Sequence, residues 1–215
     1  MVNITCYSDI PGWGDFNQLY KEFISALPDN ATVLEMGVGF GRGTWAMLDA
    51  LQRGITLQVL DNFEMSTVDL WNQSVLWGGT LTLSNDDVAH FENLSNTYSH
   101  HDIFLYSVNQ HRNIGLLTTV HSMSSDLYIK NNNSAAFDLV FLDAAHTYES
   151  VKQQLDYFKD CLLLTGHDYG NDQCPDVKLA VDAFLIENPT KSLYVYTQNE
   201  VFLIYSTNNV PSIIT

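Results

Sequence analysis

The stretch Thr32-Val-Leu-Glu-Met-Gly-Val-Gly-Phe-Gly-Arg-Gly-Thr44 constrains this chain more than any other. A β-branched, apolar run ends in Glu35, glycines alternate at Gly37, Gly39 and Gly41, and Thr44 opens the amphipathic run Trp45–Leu51. That order predicts strand, tight turn and helix. Glycines let backbone approach a ligand closely, and a helix start offers unpaired N–H groups. Counting from Gly37, the sixth position is Arg42, not the glycine or alanine of a dinucleotide fingerprint. No Lys follows a glycine, so a phosphate-binding P-loop is excluded as well. Glu35 would repel a pyrophosphate but tolerates a ligand carrying positive charge.

Other predicted strands end in the same way. Thr56-Leu-Gln-Val-Leu-Asp61 runs into Asp61-Asn62, either a carboxylate placed to accept ribose hydroxyls or a plain strand-end turn. Phe137-Asp-Leu-Val-Phe-Leu-Asp-Ala-Ala-His-Thr-Tyr-Glu149 carries Asp143 and His146 beyond its apolar core. Cys161-Leu-Leu-Leu-Thr-Gly-His-Asp-Tyr-Gly170 ends in His167, Asp168 and Tyr169. In open α/β sheets ligands bind beyond the carboxyl ends of the strands, so Glu35, Asp61, Asp143 and Asp168 converge on one rim.

Strands are predicted at 32–36, 56–60, 116–120, 139–142, 161–164, 193–196 and 201–205, the last two joined by the short link Thr197–Glu200. Helices are predicted at 16–27, 44–51, 86–98, 150–159 and 177–186. The alternation gives an α/β, Rossmann-like doubly wound fold: a mostly parallel seven-stranded sheet with an antiparallel C-terminal hairpin, in one domain spanning 1–215. Residues 62–84, with Trp71, Trp77 and Gly78-Gly79, show no regular element and read as a lid or binding loop. Trp71 and Trp77 either close that lid over a cavity or merely pack it down. Asn131-Asn-Asn133 reads as a loop.

Taken together, Glu-x-Gly-x-Gly-x-Gly, Asp143-Ala-Ala-His-Thr-Tyr-Glu149, Gly166-His-Asp-Tyr169 and Pro175-Asp-Val-Lys-Leu-Ala-Val-Asp182 resemble a family of small class I S-adenosylmethionine-dependent methyltransferases (family 24-like). Pro11-Gly-Trp-Gly-Asp-Phe16 and Leu19-Tyr20 extend the resemblance from about Gly12 to Tyr205. It implies that Glu35, Gly37, Gly39, Gly41 and Thr44 line the methionine end of S-adenosylmethionine, and that Asp61 and Asn62 hold the ribose. Val120–Ser124, through Ser122 and Ser124, would wall the adenine; Trp13 would close the pocket or pack in the core. Asp143 would lie where cofactor and acceptor meet. The chain departs from the family in lacking Pro-Gly-Gly before the fifth strand, in Asp176-Val177 replacing Gly-Val, and in the length of 62–84.

Methyl transfer to a hydroxyl needs alignment and a route for the proton. Asp143 and Asp168 would hold Mg²⁺ or a similar hard cation that acidifies the acceptor. The third ligand usual in related enzymes falls at Tyr169, which cannot serve in the same way. Otherwise His146 or His167 acts as general base. His100, His101, His111 and His121 share no ligand spacing and read as surface or structural residues.

Composition narrows the partners. Nine Lys plus Arg against 25 acids give a net charge of −16, with the basic residues scattered, which disfavours nucleic acid and anionic membranes. No window approaches a membrane span, and the N-terminus shows no basic-then-apolar signal pattern. Cys6, Cys161 and Cys174 show no metal spacing and suit a reducing, cytoplasmic setting. The expected acceptor is a small molecule or sugar hydroxyl. A chain that retains the cofactor site without catalysis, and an NAD-dependent oxidoreductase, are the rival readings.

Overall fold

A computed structural model of the chain describes residues 4–52, 54–76, 78–132 and 136–214. Among them seven strands form one sheet: β1 (Thr32–Met36), β2 (Thr56–Asp61), β3 (Leu117–Ser122), β4 (Leu139–Leu142), β5 (Leu163–Gly166), β6 (Lys191–Tyr196) and β7 (Val201–Ser206). Their order is β3-β2-β1-β4-β5-β7-β6. Strands β1 to β5 run parallel, and β7 pairs antiparallel with both β5 and β6. The strand order reverses between β1 and β4, which opens a crevice at their carboxyl ends.

The central strands read as continuous apolar runs because both faces are covered. Every residue of β4 and β5 is buried, whereas the edge strand β6 is half-buried, with Tyr194 exposed. Phe23 of α1 (Asn17–Ser25), Met47 of α2 (Arg42–Ala50) and Phe104 of α5 (His100–Val108) share one core. Tyr128 of α6 (Ser125–Asn131), Leu155 of α7 (Tyr148–Tyr157) and Phe184 of α8 (Pro175–Glu187) share a second. A third cluster joins Ile4 and Ile10 to Trp45, to Leu70 and Trp71 of α3 (Thr67–Leu76), and to Phe91 of α4 (Asn85–Ser95).

Strand and helix order follow the expectation, with three added helices. Segment 62–84 is not irregular: α3 occupies its middle, and Trp71 is packed into the third cluster. Trp77 lies outside the described residues. Asn131 ends α6 instead of forming a loop, and Asn133 is likewise outside the described residues. Strand β5 starts two residues later than expected because Cys161 N–H is taken by Phe158 O in the turn that closes α7. Asp176, where the turn departs from the family pattern, accepts Tyr148 N–H at 3.3 Å and ties the start of α8 to α7. Among the described residues no helix is long and apolar enough to cross a membrane.

Candidate active site

A cavity of about 1160 Å³ lies at the carboxyl ends of β1 to β5. Its lining includes Gly37 and Gly39 after β1, Asp61 and Asn62 from β2, and Met123 and Ser124 after β3. Asp143, His146, His167 and Asp168 complete it from β4 and β5, and Trp13, Tyr20 and Glu35 close the side beneath the turn.

The glycine turn is built for close approach. Gly37, Gly39 and Gly41 all have positive φ (81°, 50° and 98°), a region that favours glycine. A Cβ on Gly37 would sit 2.1 Å from the Asp143 carbonyl oxygen, so the β1 and β4 ends touch here. At Gly39 a Cβ would meet nothing within 4 Å, leaving an open cradle on the cavity wall. Gly41 caps α2 and packs on Phe104 and Val108, behind the lining.

Glu35 is 2% exposed and accepts the Thr44 hydroxyl at 2.6 Å. Burial pushes its carboxyl up to about 8, helped by Asp143 and Asp61, against the Thr44 hydrogen bond. Thr44 is buried and orients Glu35 from outside the lining. Asp61 secures two loops at once: Oδ2 accepts Val38 N–H at 2.9 Å and Oδ1 accepts Phe63 N–H at 2.9 Å. A carboxylate has about four acceptor sites, so both oxygens can still accept a hydroxyl. Ser122 stays in β3, exposed and apart from the lining, while Ser124 caps α6 by accepting Leu127 N–H.

Beyond β4 and β5 the acids and imidazoles interlock. His146 Nε2 lies 2.8 Å from Asp168 Oδ2 and 3.9 Å from Asp143 Oδ1. His167 Nδ1 lies 3.3 Å from Asp168 Oδ1 and 3.5 Å from Asp143 Oδ1. Asn171 donates to Asp168 Oδ1 at 2.7 Å, and Asp168 itself holds a positive φ of 62°. The Asp143 and Asp168 carboxylates raise His146 to about 9. Burial opposes protonation of His167, but the same two acids outweigh it and raise the ring to about 10. Burial also opposes ionisation of Asp168, yet the two imidazoles and Asn171 hold it well below the usual carboxylate range. The Asp143, His167 and Asp168 donor atoms lie close enough together to hold a metal ion. Tyr169 turns away and donates to Asp182 at 2.8 Å.

Several lining residues carried no readable signal. His100, expected at the surface or in a structural role, is buried, lines the cavity, and its Nε2 bonds Gly39 O at 2.8 Å, fixing the cradle. Met65 and Gln73 flank α3 and reach the cavity from the 62–84 segment. By contrast His111 bonds Asp49 and His121 bonds Gln58, both apart from the cavity lining.

Residues 34–169 match the model of a family described as a methyltransferase domain, and the chain belongs to that family. Three solved structures share the fold at low identity. An O-methyltransferase from Bacillus cereus in complex with SAH is 13% identical at a TM-score of 0.56, covering 90% of this chain and 81% of that one. A cofactor-bound protein from MTB is 12% identical at 0.56, covering 94% and 85%. A TDP-rhamnose 3'-O-methyltransferase of calicheamicin biosynthesis is 12% identical at 0.54, covering 90% and 77%. No curated protein matches the sequence.

Proposed function

We propose that this methyltransferase-family chain transfers the methyl group of S-adenosylmethionine to a hydroxyl of a small molecule or sugar. One observation carries the reading: a single cavity joins the glycine cradle, Asp61, and the Asp143–His146–His167–Asp168 cluster. The residues fit the cofactor. Gly39 leaves space where a ligand would lie against backbone, Asp61 retains acceptor capacity, and the Glu35 carboxyl at the cavity wall can accept from an amino-acid ammonium group. When bound, the cofactor supplies an electrophilic methyl on a sulfonium.

The chain's own residues then align and deprotonate. Glu35, Gly37 and Gly39 hold one end of the cavity, Asp61 and Asn62 the ribose side, and Ser124 with Met123 the far wall. Trp13 and α3 bound the cavity and would exclude water that competes as nucleophile. Residues 62–84 are read as the lid of a single domain spanning 1–215. The acceptor hydroxyl would enter beside Asp143 and His146, the more exposed members of the cluster. Near pH 7 both imidazoles carry a proton, because two carboxylates stabilise it. Either becomes available as a base once a bound cation displaces that proton. The donor set suits a divalent cation on Asp143 and Asp168, with His167 beside them, which would acidify a bound hydroxyl.

O-methyltransferases among the structural neighbours support a hydroxyl acceptor by analogy only. Release of S-adenosylhomocysteine on incubation with a panel of sugars and small phenols tests the reading. Turnover with any hydroxyl acceptor supports it. Binding of S-adenosylhomocysteine with no turnover across the panel, with and without Mg²⁺, favours the non-catalytic rival.

A further inference from the structure

Among the described residues lining the main cavity Arg42 is the only Lys or Arg, beside the acids Glu35, Asp61, Glu64, Asp126, Asp143 and Asp168 and the His146–His167 pair held by the last two. Arg42 is 8% exposed and, among the described residues, forms no direct ion pair with a carboxylate; the exposed Asp15 acts on it only through space. Burying a cation without a carboxylate in direct contact is costly, so such a group is retained where something compensates it. Its stem is wedged against Gly12, where a Cβ would come within 2.9 Å, and its guanidinium lies 5.4 Å from the Tyr7 ring. Nη1 donates to Ile10 O at 3.4 Å and to Thr82 Oγ1 at 2.9 Å. Nε is buried with no partner, and Nη2 makes no hydrogen bond. The Nε–Nη2 edge, the fork that binds two oxygens side by side, is therefore uncommitted.

That edge belongs to a residue set in a shared wall. A second cavity of about 390 Å³ adjoins the first, and Gly12, Trp13 and Arg42 line both. Ser8, Thr82 and Tyr7 add hydroxyls to the second cavity, while the exposed Asp15 is its one acid. Among the described residues Arg42 is again its only Lys or Arg.

We propose that Arg42 is an oxyanion receptor between the two cavities, its free edge taking a carboxylate or phosphate of a molecule bound for methyl transfer. Two sources present that chemistry: an acidic group on the acceptor, seated in the second cavity, or the amino-acid carboxylate of the cofactor. The geometry stands without the methyl-transfer reading; only the cofactor arm of the test rests on it.

Calorimetric titrations of wild type and Arg42→Gln separate the sources. Inorganic phosphate is titrated into protein with and without S-adenosylhomocysteine, and S-adenosylhomocysteine is compared with 5'-methylthioadenosine, which lacks the amino acid. A loss of about tenfold or more in phosphate affinity assigns the receptor to the acceptor. The same loss for S-adenosylhomocysteine, with methylthioadenosine unchanged, assigns it to the cofactor. Arg112→Gln, which removes an exposed cation apart from both cavity linings, should leave every affinity unchanged. Equal affinities of wild type and Arg42→Gln for all probes would overturn the proposal. Should Arg42→Gln not fold, nitrogen NMR of wild type reads the Arg42 Nε–H directly: a resonance unmoved by phosphate and by S-adenosylhomocysteine overturns it too. Failure of S-adenosylhomocysteine to bind wild type defeats the cofactor assignment while leaving the phosphate arm decisive.

Discussion

His146 Nε2 lies 2.8 Å from Asp168 Oδ2, joining residues that follow two different strands of the sheet. The pair is one side of a four-residue cluster in which two acids hold two protonated imidazoles near neutral pH. That balance of charge is what a divalent cation would have to replace, and it sets the pH behaviour of the site.

Stability should fall between about pH 6.5 and pH 10. His146 and His167 have folded pKa values of about 9 and about 10, above the ordinary imidazole value. Their contribution is complete below about pH 6.5 and is lost as pH rises through those values. Glu35, raised from 4.5 to about 8, acts in the same direction at lower pH: its loss runs from about pH 4.5 to about pH 8 and is complete above that, since ionising it in a buried site is unfavourable. Thermal unfolding followed from pH 6 to pH 10 should show Glu35→Gln losing less stability than wild type. A Gln variant with the same pH slope would contradict the placement of Glu35.

Asp61→Ala should weaken S-adenosylhomocysteine binding by about 1.5–3 kcal/mol, the cost of losing hydrogen bonds to a charged group. It also orphans Val38 N–H and Phe63 N–H, so Asp61→Asn, which keeps an acceptor oxygen, should lose less. Calorimetry on the two variants measures both. Unchanged affinity in Asp61→Ala would remove Asp61 from the ribose site.

Two glycines of one turn should respond differently. Gly37→Ala drives a Cβ into the Asp143 carbonyl and should cost about 2–4 kcal/mol of stability. Gly39→Ala meets open space, so only its positive φ opposes it, at about 1–2 kcal/mol. The folded Gly39→Ala protein should still lose cofactor affinity, because the methyl occupies the cradle. Denaturant melts paired with binding would separate the two effects; a Gly39→Ala protein that binds as wild type does would place the cofactor elsewhere.

Divalent cation should bind at the acidic cluster and be lost in Asp168→Ala. Because two imidazoles surrender protons when positive charge arrives, affinity for Mg²⁺ or Mn²⁺ should rise with pH. Titration at pH 7 and pH 9 tests this directly. An Asp168→Ala protein that binds the ion as wild type does would contradict the assignment.

Much of this was legible in the sequence because the central strands are buried on both faces and so read as unbroken apolar runs. Glu35, Asp61, Asp143 and Asp168 could be placed on one rim from strand ends alone. The helices α3, α5 and α6 were harder, since they pack largely on other helices, α3 on α4, α5 on α2 and α4, and α6 on α7, contacts between segments that sequence periodicity does not announce. Their capping signals were nevertheless present: Ser66, Ser99 and Ser124 each accept an N–H from the third residue onward. Ser122 and Thr44 show the limit of motif transfer, because strand pairing leaves one apart from the cavity and burial turns the other towards Glu35. His100 was not legible at all. Its contact with Gly39 O joins residues far apart in sequence, and no spacing rule announces it.

Calorimetric binding of S-adenosylhomocysteine, with NAD as the comparison ligand, tests the central claim most directly. A methyl-transfer cavity requires binding of the former at one site per chain, weakened in Asp61→Ala, and none of NAD. No binding of S-adenosylhomocysteine, or binding of NAD in its place, would contradict it.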